Sequence, residues 1–262
     1  MRPGNSGATI TKAGERIRKE SEEGKKLQIS IEKQIWARLP EPLQTPKVHT
    51  SGYQMASMFG DQPEVYSAEM DFIDGAAIWE AKDWKRRIDN VIEWVADNIR
   101  RSTETVPKAD ILTYLNQLDA KARSVGQPYH GIVHSILESG LHNLTREAFL
   151  PIGDNHGDLT FTNMIAAKEA TYLIDFDQGA LNTPYYDLAK LEQDALCGWY
   201  RRFFPNPTFG DSLDKHVIGR LAQFKGYQQW RSLLLGIALS RILIRNKHQA
   251  STWVKCKCKL FS

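Results

Sequence analysis

The stretch GDNHGDLTFTNMI, residues 153–165, decides how this chain is read. It crowds acids, a His and two Asn into thirteen positions, with Asp158 and Asn163 five residues apart. Directly after it, NMIAAKEATYLIDFD (163–177) reads as two short strands around an Ala-Lys-Glu turn. If 163–166 and 171–176 pair as a hairpin, Asn163 enters the first strand and Asp175 leaves the second. Both then project at one end, beside the loop that carries Asp158. Two carboxylates and a carboxamide offer only oxygen donors, which suits a hard cation such as Mg2+ and not zinc, which prefers nitrogen and sulfur. An acid in the otherwise apolar run YLIDF is costly unless it is paired or bound to a metal.

Phosphoryl transfer gives each of these residue types a task. One acid accepts the proton of an attacking hydroxyl, while a second acid and an Asn hold the metal that offsets charge on the phosphates. Asp158 is the candidate proton acceptor, and Asn163 and Asp175 are the candidate metal ligands. The order Asp-x4-Asn, then an acid at a strand end, is that of the protein-kinase catalytic segment. NHGDLTFTN with LIDFD resembles the aminoglycoside phosphotransferase and choline kinase family, whose signature is His-Gly-Asp-x4-Asn followed by Ile-Asp-Phe or Ile-Asp-Trp. TPYYDLAKL (183–191) is similar to the segment that follows in that family. The resemblance covers 153–191 closely and the rest more loosely.

Working outward, the remainder fits the α+β, two-lobed protein-kinase-like fold that the resemblance implies. ATITKAGERIRK (8–19) suits a hairpin turning at Ala13-Gly14-Glu15. Leu27, Ile31, Ile35 and Leu39 recur at helical spacing up to Pro40, and EVYSAEMDFIDG (64–75) reads as a strand leaving into a turn. Past Gly75 the pattern becomes helical. Trp84, Ile88, Val91, Ile92, Val95 and Ile99 mark one amphipathic face, and Ile111, Leu112, Leu115 and Leu118 mark another. Thr183-Pro184 has the form of an N-cap followed by Pro at the first helical position. The expected organisation is a small strand-rich lobe over 1–75 and a larger helical lobe over 76–262.

Further roles come from the resemblance alone. It implies an ATP site in which Lys19 steadies the phosphates and Glu32 pairs with Lys19. Gly4 and Gly7 of GNSG would cover the phosphates, and the backbone of Met70, Asp71 and Phe72 would lie against the adenine. His156 is expected to support its loop instead of reacting, and Asp177 and Asp187 to position that loop. Apart from the resemblance, nearness in sequence to the site makes Gln193 and Asp194 candidates for holding a substrate hydroxyl or amine, with an exposed helix face as the favoured alternative.

Composition narrows the partners. A net charge of +3 with no long basic block does not point to nucleic acid. The longest apolar run, 233–244, falls short of the roughly 20 residues a membrane span needs and contains Arg241. Three cysteines, at 197, 256 and 258, are too few for a disulfide framework, so the expected location is cytoplasmic. Cys256-x-Cys258 has no second ligand pair beside it. Walker, GxGxxG, HExxH and GxSxG motifs are absent from the sequence. The expectation is an ATP- and Mg2+-dependent transfer of the γ-phosphoryl group to a hydroxyl of a small molecule, a sugar or amino alcohol. The alternatives are a nucleotide-binding pseudokinase scaffold and a protein kinase.

Overall fold

Gly14 sits at φ +62°, a conformation that costs Gly little, and there β1 (Thr9–Ala13) reverses into β2 (Arg16–Ser21). The hairpin and its turn fall where the sequence marks them. A computed structural model describes residues 8–54, 65–126, 129–141, 149–203 and 207–245. By internal contacts the chain forms two compact units, residues 1–90 with 162–178, and residues 91–161 with 179–262. This division differs from the 1–75 and 76–262 lobes expected from sequence. The segment with Asn163 and Asp175 belongs to the strand-rich unit, because its strands complete a sheet there.

In the first unit β2 pairs with β5 (Val65–Asp71), which pairs with β4 (Val48–Gln54), giving an antiparallel sheet in the order β1-β2-β5-β4. β5 alternates burial residue by residue, as a strand with one covered face must. Its Tyr66, Ala68 and Met70 pack on Leu27 and Ile31 of α1 (Gly24–Trp36). α1 buries Gly24, Leu27, Ser30, Ile31 and Gln34, a three-and-four spacing that defines one face. Ile35, expected in that core, is half-exposed, and the helix stops at Trp36, ahead of Pro40.

A second sheet has the order β3-β8-β7-β6. It comprises β3 (Leu43–Gln44), β6 (Ala76–Ala77) and the hairpin β7 (Met164–Ala167) and β8 (Ala170–Leu173). Buried Arg87, near the start of α2 (Trp84–Arg101), fastens the hairpin turn. Its Nη1 donates to Ala170 O at 2.5 Å and its Nη2 donates to Lys168 O.

The second unit is helical. It holds the rest of α2, then α3 (Lys108–Val125), α4 (Tyr129–Leu141), α5 (Pro184–Cys197), α6 (Pro207–Leu221) and α7 (Lys225–Arg245). α2 buries Ile88, Val91, Ile92 and Val95, the face read from its periodicity; in α3, Leu112 is exposed while Ile111, Leu115 and Leu118 are buried. α5 begins as expected, with Thr183 Oγ1 accepting from Tyr185 N and Pro184 at the first helical position. Every residue of α5 from Pro184 to Ala195 is buried, although five of them carry charged or amide side chains. Each of those five has a partner. Glu192, for example, accepts from Tyr227 Oη at 2.6 Å and from Arg231 Nε at 2.7 Å. Among the described residues no helix is long and apolar enough to cross a membrane.

Candidate phosphotransfer site

In the first unit, β7 and β8 align Met164 with Leu173, and Ile174 N donates to Asn163 O at 3.1 Å, which extends the ladder by one step. Asn163, 8% exposed, therefore stands at the same end of the hairpin as Asp175, as expected. Asp175 adopts φ +58°, a left-handed conformation that costs an L-residue roughly 1 kcal/mol and is tolerated best by Asn and Asp among non-glycine residues. The segment beyond β8 is fastened from α1. Ser30 Oγ donates to Phe176 O, and Lys33 Nζ donates to Asp177 O at 2.7 Å.

Lys19, on β2 and buried, donates from Nζ to Asp175 Oδ1 at 2.6 Å. Sequence reasoning singled out both residues separately; the fold puts them in contact. Glu32 does not hold Lys19. It lies on the exposed side of α1 and accepts from Gln28 Nε2 at 2.8 Å, because the buried face set by Leu27, Ser30, Ile31 and Gln34 leaves position 32 outside it.

In the strand expected to lie against the adenine, the main-chain amides are already engaged. Met70 N and O lie in an interior strand paired on both sides, with Ile17 and with Val48, and its side chain belongs to the α1 core. Asp71 N donates to Lys47 O at 3.0 Å and Phe72 N to Glu15 O at 2.8 Å, so neither amide is left for a base. Asp71 itself pairs with His49 Nε2 at 2.6 Å, a hydrogen bond that holds its carboxyl below the usual range. Gly4 and Gly7 lie outside the described residues.

In the second unit, the loop carrying Asp158 is bound down by the buried acids of α5. Asp187 accepts from His156 N at 2.6 Å and from Gly157 N at 2.8 Å. Asp194 accepts from Phe161 N at 2.8 Å and from Tyr200 N at 3.2 Å. Gly157 (φ +83°) passes so close to Gly179 (φ +75°) that a Cβ on Gly179 would stand 3.1 Å from the Gly157 Cα. His156 is fully buried, and its Nδ1 accepts from Asp158 N at 3.3 Å, which is the supporting role expected of it. Asp187 positions the loop, again as expected. Asp194 and Gln193 are neither substrate-facing nor exposed: both are buried, and burial pushes the Asp194 carboxyl up to about 7.

Asp158 itself keeps 41% of its side chain exposed, and Lys190 Nζ of α5 lies 3.1 Å from its Oδ1. Lys190 is anchored in turn by donating to Gln193 Oε1 at 2.8 Å. Desolvation pushes the Asp158 carboxyl up, but the Lys190 ammonium, with help from His156 and Arg241, outweighs it and holds the group below its ordinary value. Burial pulls Lys190 down and Asp158 pulls it further up, so both stay charged. Sequence reasoning missed Lys190. Its only signal is a lysine inside the apolar stretch DLAKL, where a buried partner is required. Replacing it by Met removes the chief force lowering the Asp158 carboxyl and leaves the desolvation. Its titration, followed by carbon NMR of labelled Asp, should move to higher pH in Lys190→Met; an unmoved titration contradicts this coupling.

No family model matches the sequence, and neither does any curated protein. Solved structures do match. A thermostable mutant of aminoglycoside phosphotransferase APH(4)-Ia is similar at a TM-score of 0.57 and 13% identity, over 97% of this chain and 93% of that one. Glucosamine kinase is similar at 0.53 and 12% identity, over 97% and 76%. A choline/ethanolamine kinase family protein from Mesorhizobium loti is similar at 0.52 and 15% identity, over 98% and 86%. The chain therefore has the protein-kinase-like fold shared by these proteins. An APH(4)-Ia mutant also occurs as a ternary complex with AMP-PNP and hygromycin B.

Proposed function

We propose that this protein is an ATP- and Mg2+-dependent phosphotransferase that moves the γ-phosphoryl group to a hydroxyl of a small molecule. The observation that carries this reading is the Lys19–Asp175 contact at 2.6 Å. It sets a phosphate-binding cation type beside a candidate metal ligand, at the hairpin end that also holds Asn163. The donor set fits Mg2+: a carboxylate and a carboxamide oxygen, with no nitrogen or sulfur among the candidates. Bound there, Mg2+ would neutralise charge on the nucleotide's phosphates. Lys19 binds phosphate oxygens. Asp158, five residues before Asn163 in the chain, accepts the proton of the attacking hydroxyl, and Lys190 keeps it ionised for that purpose.

The acceptor is a sugar or amino alcohol. The solved relatives act, by their names, on aminoglycosides, glucosamine and choline or ethanolamine, all of them hydroxyl compounds of modest size. A polycationic aminoglycoside would call for a surplus of exposed acids. Here the acids of α5, Asp187, Glu192 and Asp194, are buried and already paired, which favours a less charged acceptor.

An ATP-consumption screen over sugars, amino alcohols, nucleosides and aminoglycosides tests the reading. Mg2+-dependent turnover with at least one member is expected. ATP raising the melting temperature without being consumed across the panel would replace the reading with a scaffold role. Label transferred from ATP to a polypeptide would replace it with protein phosphorylation.

A further inference from the structure

Away from the Asp158 loop, α3 and α4 bring three potential ligands to one point. Asp119 of α3 faces His130 and His134 of α4, and their ligand atoms all lie within 4.8 Å of one another. The two histidines are four residues apart on one helix, which puts both imidazoles on one face. His130 Nε2 and His134 Nδ1 each stand 3.3 Å from the same oxygen, Asp119 Oδ1. Donors bound at about 2.05 Å in a tetrahedron are separated by about 3.3 Å along each edge, so the two imidazole–carboxylate separations match edges of a four-coordinate shell, and the third stays within 4.8 Å.

The surroundings support that reading. His130 Nε2 is screened from solvent and makes no hydrogen bond despite its closeness to the carboxylate. Arg123 takes the other carboxylate oxygen, with Nε donating to Oδ2 at 2.9 Å and Nη2 at 2.8 Å, so Oδ1 is left to the imidazoles. On its far side His134 Nε2 lies 3.4 Å from Glu138 Oε1, a carboxylate placed to receive the second N–H of a ligating imidazole and fix its tautomer. Side-chain exposures of 24% for His130 and 49% for His134 leave the cluster open to solution and to a fourth ligand.

We propose that Asp119, His130 and His134 form a binding site for a borderline divalent ion, Zn2+ foremost, with water as the fourth ligand. The ion ties α3 to α4. The site is of a different chemistry from the oxygen-only Mg2+ ligands and does not depend on the phosphotransfer reading.

Calorimetric titration of the full chain with Zn2+ is expected to give one tight site per chain, accompanied by a rise in melting temperature that EDTA reverses. His130→Gln/His134→Gln should abolish it. Glu138→Gln should weaken it about 10–100-fold, the usual cost of losing a ligand's hydrogen-bonding partner. Cys256→Ser/Cys258→Ser and Asp175→Asn should bind as tightly as the unaltered chain. Co2+ bound to the unaltered protein gives a further readout, the intense visible bands of a four-coordinate ion. Failure to bind overturns the proposal. So does binding that survives the double His substitution, binding lost with the cysteines or Asp175, or a six-coordinate Co2+ spectrum.

Discussion

Asp158→Asn is expected to lower turnover by about 10²–10⁴, the usual contribution of a positioned proton acceptor, while ATP still binds. The substitution preserves shape and changes only the capacity to take a proton, so the loss should fall on kcat. The setting strengthens the expectation. Lys190 at 3.1 Å steadies the carboxylate, the bond from Asp158 N to His156 Nδ1 steadies its main chain, and 41% exposure leaves the side chain accessible. Steady-state kinetics with the acceptor found by screening supply the test, with thermal denaturation to confirm that the variant is folded. Turnover retained to within a few-fold would remove Asp158 from this role.

The second large effect concerns stability. Asp187→Ala deprives two buried amides, His156 N and Gly157 N, of the carboxylate that accepts from both. Each buried donor left without a partner costs about 1–3 kcal/mol, so a loss of about 2–6 kcal/mol is expected. For a chain of this size each kcal/mol corresponds to roughly 2–4 °C in melting temperature. Turnover should fall with it, because the same two bonds set the course of the loop into Asp158. A melting temperature within a degree of the unaltered protein would mean that the loop is held by other contacts.

The catalytic segment was legible because its meaning is local. Asp158, Asn163 and Asp175 lie within eighteen consecutive residues of 158–175, and hairpin periodicity alone puts Asn163 and Asp175 at one end. Pairs that only the fold creates were not legible. Lys19 and Asp175 are 156 positions apart, and Lys190 reaches Asp158 from a helix whose polar residues read as a solvated face. That misreading has a physical origin: α5 is buried with its charges bound to the loop and to α7, so polarity no longer reports exposure. Glu32 was a different kind of miss. The phase of α1, fixed by Leu27 and Ile31, already placed position 32 off the inner face, and that phase was available in the sequence. β4 was not recognised either, since VHTSGYQ carries a Gly and few apolar residues and pairs only because β5 offers it an edge.

The claim on which the rest depends is that Asn163 and Asp175 hold the divalent ion that carries ATP. The direct measurement is calorimetric titration of ATP into the protein with and without Mg2+, for the unaltered chain and for Asp175→Asn. Mg2+ is expected to tighten ATP binding to the unaltered chain, and that gain should vanish in Asp175→Asn. An equal gain in both proteins would contradict the account.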